Sequence, residues 1–207
     1  MANCCFDYLE CVSKNKEELI RLSKILERKD PEYATGLFDG YSEDIIEEDG
    51  YYTMQVNGWT KWSIAPLVGC DETYDGIRYV DLPFLLEKVL PNTAVEVLAE
   101  ECGCNYAGWM ICYNGGEYRT DSTDYMDAFV ENIEEAGDLL RNCVEDGMIS
   151  KDVAGHALNE LKDMDCRNGS LTASLLISGY EFEFGKPDEI FKGTSCPVER
   201  KEVEIIS

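Results

Sequence analysis

One histidine, His156, stands against ten cysteines and 42 carboxylates in a chain of 207 residues. Nucleophilic catalysis by Ser or Cys needs a base within hydrogen-bond reach, and His156 sits in Gly155-His156-Ala157 with no nucleophile motif beside it. Neither a phosphate-binding G-x-x-x-x-G-K-[ST] nor a dinucleotide-binding G-x-G-x-x-G following a strand occurs. The cysteines contain no C-x-x-C, and a zinc set drawn from Cys102, Cys104 and His156 matches neither the spacing nor the ligand number of common structural sites. Asp71-Glu72-Thr73-Tyr74-Asp75-Gly76 lacks the D-x-D-x-D-G alternation of calcium loops and reads as turn chemistry. The reading therefore assigns no catalytic residue, no metal ligand and no cofactor.

The carboxylates offer a different chemistry, that of a surface. The net charge is −24, and it is unevenly placed. Residues 1–30 hold six acids and six bases, residues 31–60 seven acids and no base, and residues 117–146 ten acids and two bases. On a helix over residues 124–146, Asp127, Glu131, Glu134 and Asp138 advance by three or four and lie about 5–6 Å apart along the axis. Phosphates in one DNA strand recur about every 3.4 Å, a comparable charge density without matching register. A second run, Glu43, Asp44, Glu47, Glu48 and Asp49, falls in a loop or short helix at 43–49, and Glu96, Glu100 and Glu101 add to the surplus. Such a field repels nucleic acid and anionic membrane and steers towards basic surfaces. The plainer alternative is that acidity confers solubility and that each stripe is a solvated face.

The elements that position these groups are legible in part. Residues 93–118 read as a β-meander: Val95, Val97 and Ala99 alternate with Glu96, Leu98 and Glu100, and Asn114-Gly115-Gly116 marks a hairpin turn. Residues 4–12 read as a strand, Asn15 with Glu18 as a capping-box start to a helix through Arg28, and residues 51–56 as a strand ended by a turn at Asn57-Gly58-Trp59. Trp59 and Trp62 are expected to plug a sheet edge, and Asp81 with Pro83 to open a short helix stopped at Pro91. The first helix carries the basic surface, Lys16, Arg21, Lys24 and Arg28. Beyond residue 120 the pattern predicts the acidic helix closed by Gly147, another begun by Ser150, and an ambiguous segment at 171–184 that favours a strand at its end. The tail after Gly185 reads as polar surface. The fold class is thus α+β, a ferredoxin-like antiparallel sheet covered by two helices over residues 1–120, with a C-terminal helical and β extension over 121–207 packed on it. No window reaches the ~18 apolar residues of a membrane span, and no basic-then-apolar leader opens the chain, so a cytoplasmic protein with reduced thiols is expected.

The opening Met1-Ala-Asn-Cys-Cys-Phe-Asp-Tyr-Leu-Glu10, the Asn57-Gly-Trp-Thr-Lys-Trp62 segment and the run from Glu100-Glu-Cys-Gly-Cys-Asn to Tyr106-Ala-Gly108 resemble the YubB-type ferredoxin-like domain of phages, plasmids and other mobile elements, over about residues 1–119. Cys5 departs from the aromatic often found there. The resemblance implies a mobile-element origin, in which small acidic proteins interfere with host defence, and it supplies no catalytic residue. The reading that follows is a non-enzymatic, anti-CRISPR-like inhibitor in the cytoplasm of a host bacterium. By nucleic-acid mimicry it blocks the basic nucleic-acid-binding surface of a defence effector, a CRISPR complex first and a restriction enzyme second, without binding nucleic acid or membrane itself. The alternatives are a metal-dependent enzyme using the acidic loop 71–75 or the sheet carboxylates, and an assembly protein pairing through a sheet edge.

Overall fold

Residues Cys4–Ser13 form β1, in which Cys5, Asp7, Leu9 and Cys11 point to one face and Phe6, Tyr8, Glu10 and Val12 to the other, as the period of two requires. Helix α1, Lys16–Leu26, starts where Asn15 Oδ1 accepts from the Glu17 amide at 3.1 Å. Leu19, Leu22, Ile25 and Leu26 line its buried side, each worth about 1.5–3 kcal/mol of burial. The Glu18 carboxylate reaches across the fold, accepting from the Asn92 amide at 2.9 Å, Asn92 Nδ2 at 2.7 Å and the Thr93 hydroxyl at 2.9 Å. It thereby ties the helix start to a segment 74 residues further on. Past Leu26 the chain turns back through Arg28, in the left-handed region at φ 56°.

The chain continues through β2 (Tyr33–Ala34), β3 (Phe38–Ser42), β4 (Ile46–Glu48) and β5 (Tyr51–Lys61), a 3₁₀ turn at Ala65–Leu67, then β6 (Asp71–Tyr74), β7 (Ile77–Val80), α2 (Leu82–Lys88), β8 (Thr93–Glu101), β9 (Tyr106–Tyr113) and β10 (Glu117–Asp124). This is a computed structural model, and it describes residues 4–61, 63–101, 106–124, 129–130, 133–147, 150–155, 158, 171–172, 180–181, 184–196 and 198–199. A seven-stranded sheet runs β10-β9-β8-β1-β5-β3, with β4 also on β5, and β1 lies antiparallel to both β5 and β8. The fold is mixed α+β, and its mostly antiparallel sheet is larger than the ferredoxin-like sheet expected. A small second sheet, β2-β7-β6, closes on the Asp75-Gly76 hairpin turn. Helices α1 and α2 contribute to one hydrophobic core with Leu9, Val56, Val97 and Met110 of the first face. As expected, Asp81 caps α2, its Oδ1 accepting from the Phe84 amide at 2.8 Å.

Two segments differ from the sequence reading for one physical reason, the length of β5. Asn57-Gly58-Trp59 makes no turn; β5 is an eleven-residue strand that runs straight through it. Gly58 is there because Leu37 lies against its Cα, so that a Cβ would stand 2.8 Å from Leu37 Cγ. The long strand then serves as template for residues 38–42 and 46–48, which form β3 and β4 on either side of a short connection at 43–45. The β4–β5 turn is Asp49-Gly50, with φ of 50° and 81°, the signature of a type I′ hairpin.

The chain divides into two units, Met1–Glu101 with Tyr106–Thr123 and Phe182–Pro197, and Cys102–Asn105 with Asp124–Glu181 and Val198–Ser207. In the second unit β11 (Phe129–Val130) pairs with β12 (Leu171–Thr172), α3 spans Ile133–Glu145, and β13 (Tyr180–Glu181) pairs with β14 (Val198–Glu199). No single helix covers 124–146: β10 reaches Asp124, and the β-branched Val130 with Phe129 is in a ladder before α3 begins. Gly147 does close α3, at φ 73°, and Ser150 Oγ accepts from the Val153 amide at 3.2 Å to open a helical turn. The segment 182–197 returns to the first unit, where Pro187–Lys192 forms α4. This α4 segment is no surface tail, for Ile190 is fully buried against Val12, Ala94, Leu98, Trp109 and Ile111 on the second face of the large sheet.

Candidate functional site

The register of the large sheet lays the second face out in rows, because directly opposed residues in an antiparallel ladder project to the same side. Phe6, Trp59 and Phe38 make one row across β1, β5 and β3, and Tyr8, Asn57 and Tyr41 make the next. Phe38 and Tyr41 are three positions apart where their partners Trp59 and Asn57 are two apart, and the irregularity between them, with Asp39 at φ 51°, returns Tyr41 to the same face. Phe6 packs edge-on against Tyr8 and Trp59 at ring distances of 4.6 and 4.8 Å. Tyr8, Trp59 and Tyr41 are 40%, 38% and 68% exposed. Trp59 therefore does not plug an edge but belongs to an open aromatic platform; Trp62 lies outside the described residues.

Carboxylates border the platform. Glu10 and Gln55 form the following row, with Glu96 beside Glu10 on β8, and the Glu43 amide donates to the Gln55 carbonyl at 2.8 Å. Burial raises Glu10 above the usual carboxylate range; hydrogen bonding to Gln55 opposes the rise, while Glu48, Glu96 and Glu43 add to it. Beyond this row α4 covers the sheet. Glu96, read from the sequence as surface charge, is fully buried and anchors the returning segment. Its carboxylate accepts from the Trp109 indole at 2.6 Å, the Ser195 hydroxyl at 2.5 Å and the Gly185 amide at 2.8 Å. Arg119 donates to the Gly193 and Ser195 carbonyls at 2.5 and 2.7 Å and lies 5.5 Å over the Trp109 ring. Lys14 lies 4.6 Å over Phe191. Sequence alternation gives the face of Glu96 but no hint of partners 89 and 99 residues away.

The nine acidic residues singled out by sequence fare differently. Glu43, Asp44, Glu47, Glu48 and Asp49 are all exposed on the segment that carries β4, held by its pairing of Ile46, Glu47 and Glu48 with Thr53, Tyr52 and Tyr51. Alternation along β4 sends Ile46 and Glu48 to the second face and Glu47 to the first, so the five do not form one patch. Lys16 and Lys24 of α1 line an open cleft of about 590 Å³ together with Glu43 and Asp44. Arg21, by contrast, pairs with Asp30 and Glu32. Of the helical stripe, Asp127 and Glu131 lie outside the described residues; Glu134 and Asp138 are on α3, and Asp138 is exposed and paired with Arg141 at 2.9 Å. The intervening β11 removes the continuous four-residue helical stripe.

Among the described residues no group of three His, Cys, Asp or Glu converges as a metal site would. Cys102, Cys104 and His156 lie outside them. Asp71 is held below the usual carboxylate range by the Arg78 guanidinium, which donates to both its oxygens at 2.8 and 3.0 Å. Cys11 and Cys112 are buried thiols pushed up by burial, Cys112 to about 12. Asp7 is fully buried on the first face, and neither of its oxygens nor the nearby Thr60 hydroxyl closes a hydrogen bond among the described residues. Burial raises it to about 7, and proximity to Thr60 only moderates the rise. No helix among the described residues is long and apolar enough to cross a membrane. Comparison with known proteins finds no matching family model, no matching curated sequence and no matching solved structure.

Proposed function

We propose that this chain is a non-enzymatic acidic inhibitor, active in a bacterial cytoplasm, that occupies the basic nucleic-acid-binding surface of a host defence effector, a CRISPR complex first and a restriction enzyme second. The observation that carries the reading is the edge hairpin: carboxylates at 43, 44 and 47–49 stand exposed on a segment fixed by backbone pairing to β5. Charge held on a ladder loses little backbone entropy on docking, so its attraction is not spent on ordering the segment. A net charge of −24 supplies the long-range field that speeds encounter with a basic surface. The fold reading behind it, a ferredoxin-like core of the YubB type from a mobile element, is supported by the order β8-β1-β5-β3 with α1 and α2 on one face.

The experiment is capture from a bacterial lysate containing CRISPR and restriction effectors, washed at low and then at 1 M salt. The proposal expects recovery of one basic nucleic-acid-handling complex, weakened steeply by salt, and loss of that recovery when residues 43, 44 and 47–49 are changed to their amides. Binding to such a complex that is unchanged at 1 M salt contradicts the electrostatic mechanism.

A further inference from the structure

The aromatic platform itself carries no charge, and the sheet is shaped to present it. A strand irregularity at Asp39 places Tyr41 in line with Asn57 and Tyr8, and three aromatic side chains stay substantially exposed on one sheet face. Carboxylates border it at one end, Glu10 within the ladder and Glu43 and Glu48 on the neighbouring hairpin. Aromatic faces beside carboxylates suit one side chain above others, because a guanidinium stacks on a ring and donates in a fork to a carboxylate at once. The chain itself uses that combination elsewhere: Arg78 lies 4.4 Å over the Phe84 ring while donating twice to Asp71. Arg119 lies over Trp109 on the second face itself.

We propose that the open part of the second face, from Trp59, Tyr8 and Tyr41 to Glu10 and Glu43, docks an arginine-bearing segment of a basic protein partner. The proposal rests on the inhibitor reading and names the side chain that the specific contact recognises. A nucleic acid fits less well: its bases stack on aromatics, but its phosphates then meet Glu10, Glu43 and Glu48. Lys61, opposite Cys4 in the ladder, stands at the far end.

The full chain is titrated at fixed ionic strength with the peptide (Arg-Gly)4, with (Lys-Gly)4 and with a twelve-residue oligothymidylate, by calorimetry and by the Trp59 indole N–H resonance. The arginine peptide is expected to shift that resonance and to bind about fivefold more tightly than its lysine twin, the margin that ring stacking adds. Trp59→Ala and Tyr41→Ser each weaken it about tenfold, Glu43→Gln lowers its salt dependence, and Glu87→Gln, an exposed change on α2, leaves it unaltered. Tyr41 is exposed enough for its variant to report even where Trp59→Ala fails to fold. Equal binding of the two peptides, insensitive to Trp59 and Tyr41, overturns the proposal, as does oligothymidylate displacing the arginine peptide from these residues. Failure of the peptide alongside hairpin-dependent capture of an effector removes this docking surface and leaves the inhibitor reading standing. Peptide binding without any effector blocked does the reverse.

Discussion

Asp7 is a single residue that sets a pH dependence for the fold. Its carboxyl is raised from 3.8 to about 7 by burial, so between those values the folded chain holds a proton that the unfolded chain has lost. Stability then falls as pH rises through that window, and the penalty is complete above pH 7. At about 1.4 kcal/mol per pH unit, it reaches at most about 4 kcal/mol. Chemical denaturation at pH 5 and pH 8 checks this: Asp7→Asn is expected to be more stable than the parent at pH 8 and to flatten the difference between the two conditions. An unchanged slope means that Asp7 is ionised in the fold. At Gly58 the prediction has the opposite sign, for a methyl driven against the Leu37 side chain costs about 1–3 kcal/mol in a packed core. Gly58→Ala should lower the denaturation midpoint without changing the slope of the transition.

Among the elements, the returning segment with α4 is the one the sequence hid. Its residues look polar from Gly185 onward, and only Ile190, Phe191 and Phe184 betray a buried side, too few for a periodic signal over a six-residue helix. What holds it is long-range, the three donors converging on Glu96. Glu96→Ala leaves those donors without their acceptor in a buried place and is expected to cost about 2–5 kcal/mol. It should also expose residues 184–196 to proteolysis before the rest of the first unit, which timed digestion with mass spectrometry reads out. Elements with local signals were legible: β1, α1 with its Asn15 cap, α2 with Asp81, and the meander with its Asn114-Gly115-Gly116 turn. Within the acidic stretch 43–49 the strand at 46–48 is illegible in sequence, because charge on an edge strand resembles charge in a loop and pairing partners on β5 decide between them. The stripe was misread because a helical period was followed across residues 129–130, which a ladder to residues 171–172 claims instead.

For the whole molecule, the two faces of the large sheet divide the labour. Helices α1 and α2 share one hydrophobic core with residues of the first, while α4 packs on part of the second and leaves an aromatic platform beside an acidic edge. Sequence showed the acidity and, of the exposed aromatics, singled out Trp59; it showed neither that Glu96 is a buried anchor nor that Trp59, Tyr8 and Tyr41 share a surface, because both facts depend on register between distant strands. The acidic edge is proposed to compete with nucleic acid for a basic surface. The most direct test measures fluorescence anisotropy of labelled guide or target nucleic acid on purified CRISPR and restriction effectors, with rising amounts of the full chain. One effector is expected to release its nucleic acid, less readily as salt rises, and amides at 43, 44 and 47–49 are expected to weaken the release at least tenfold. Release that is indifferent to both salt and those residues contradicts it, and so does a panel in which every effector keeps its nucleic acid.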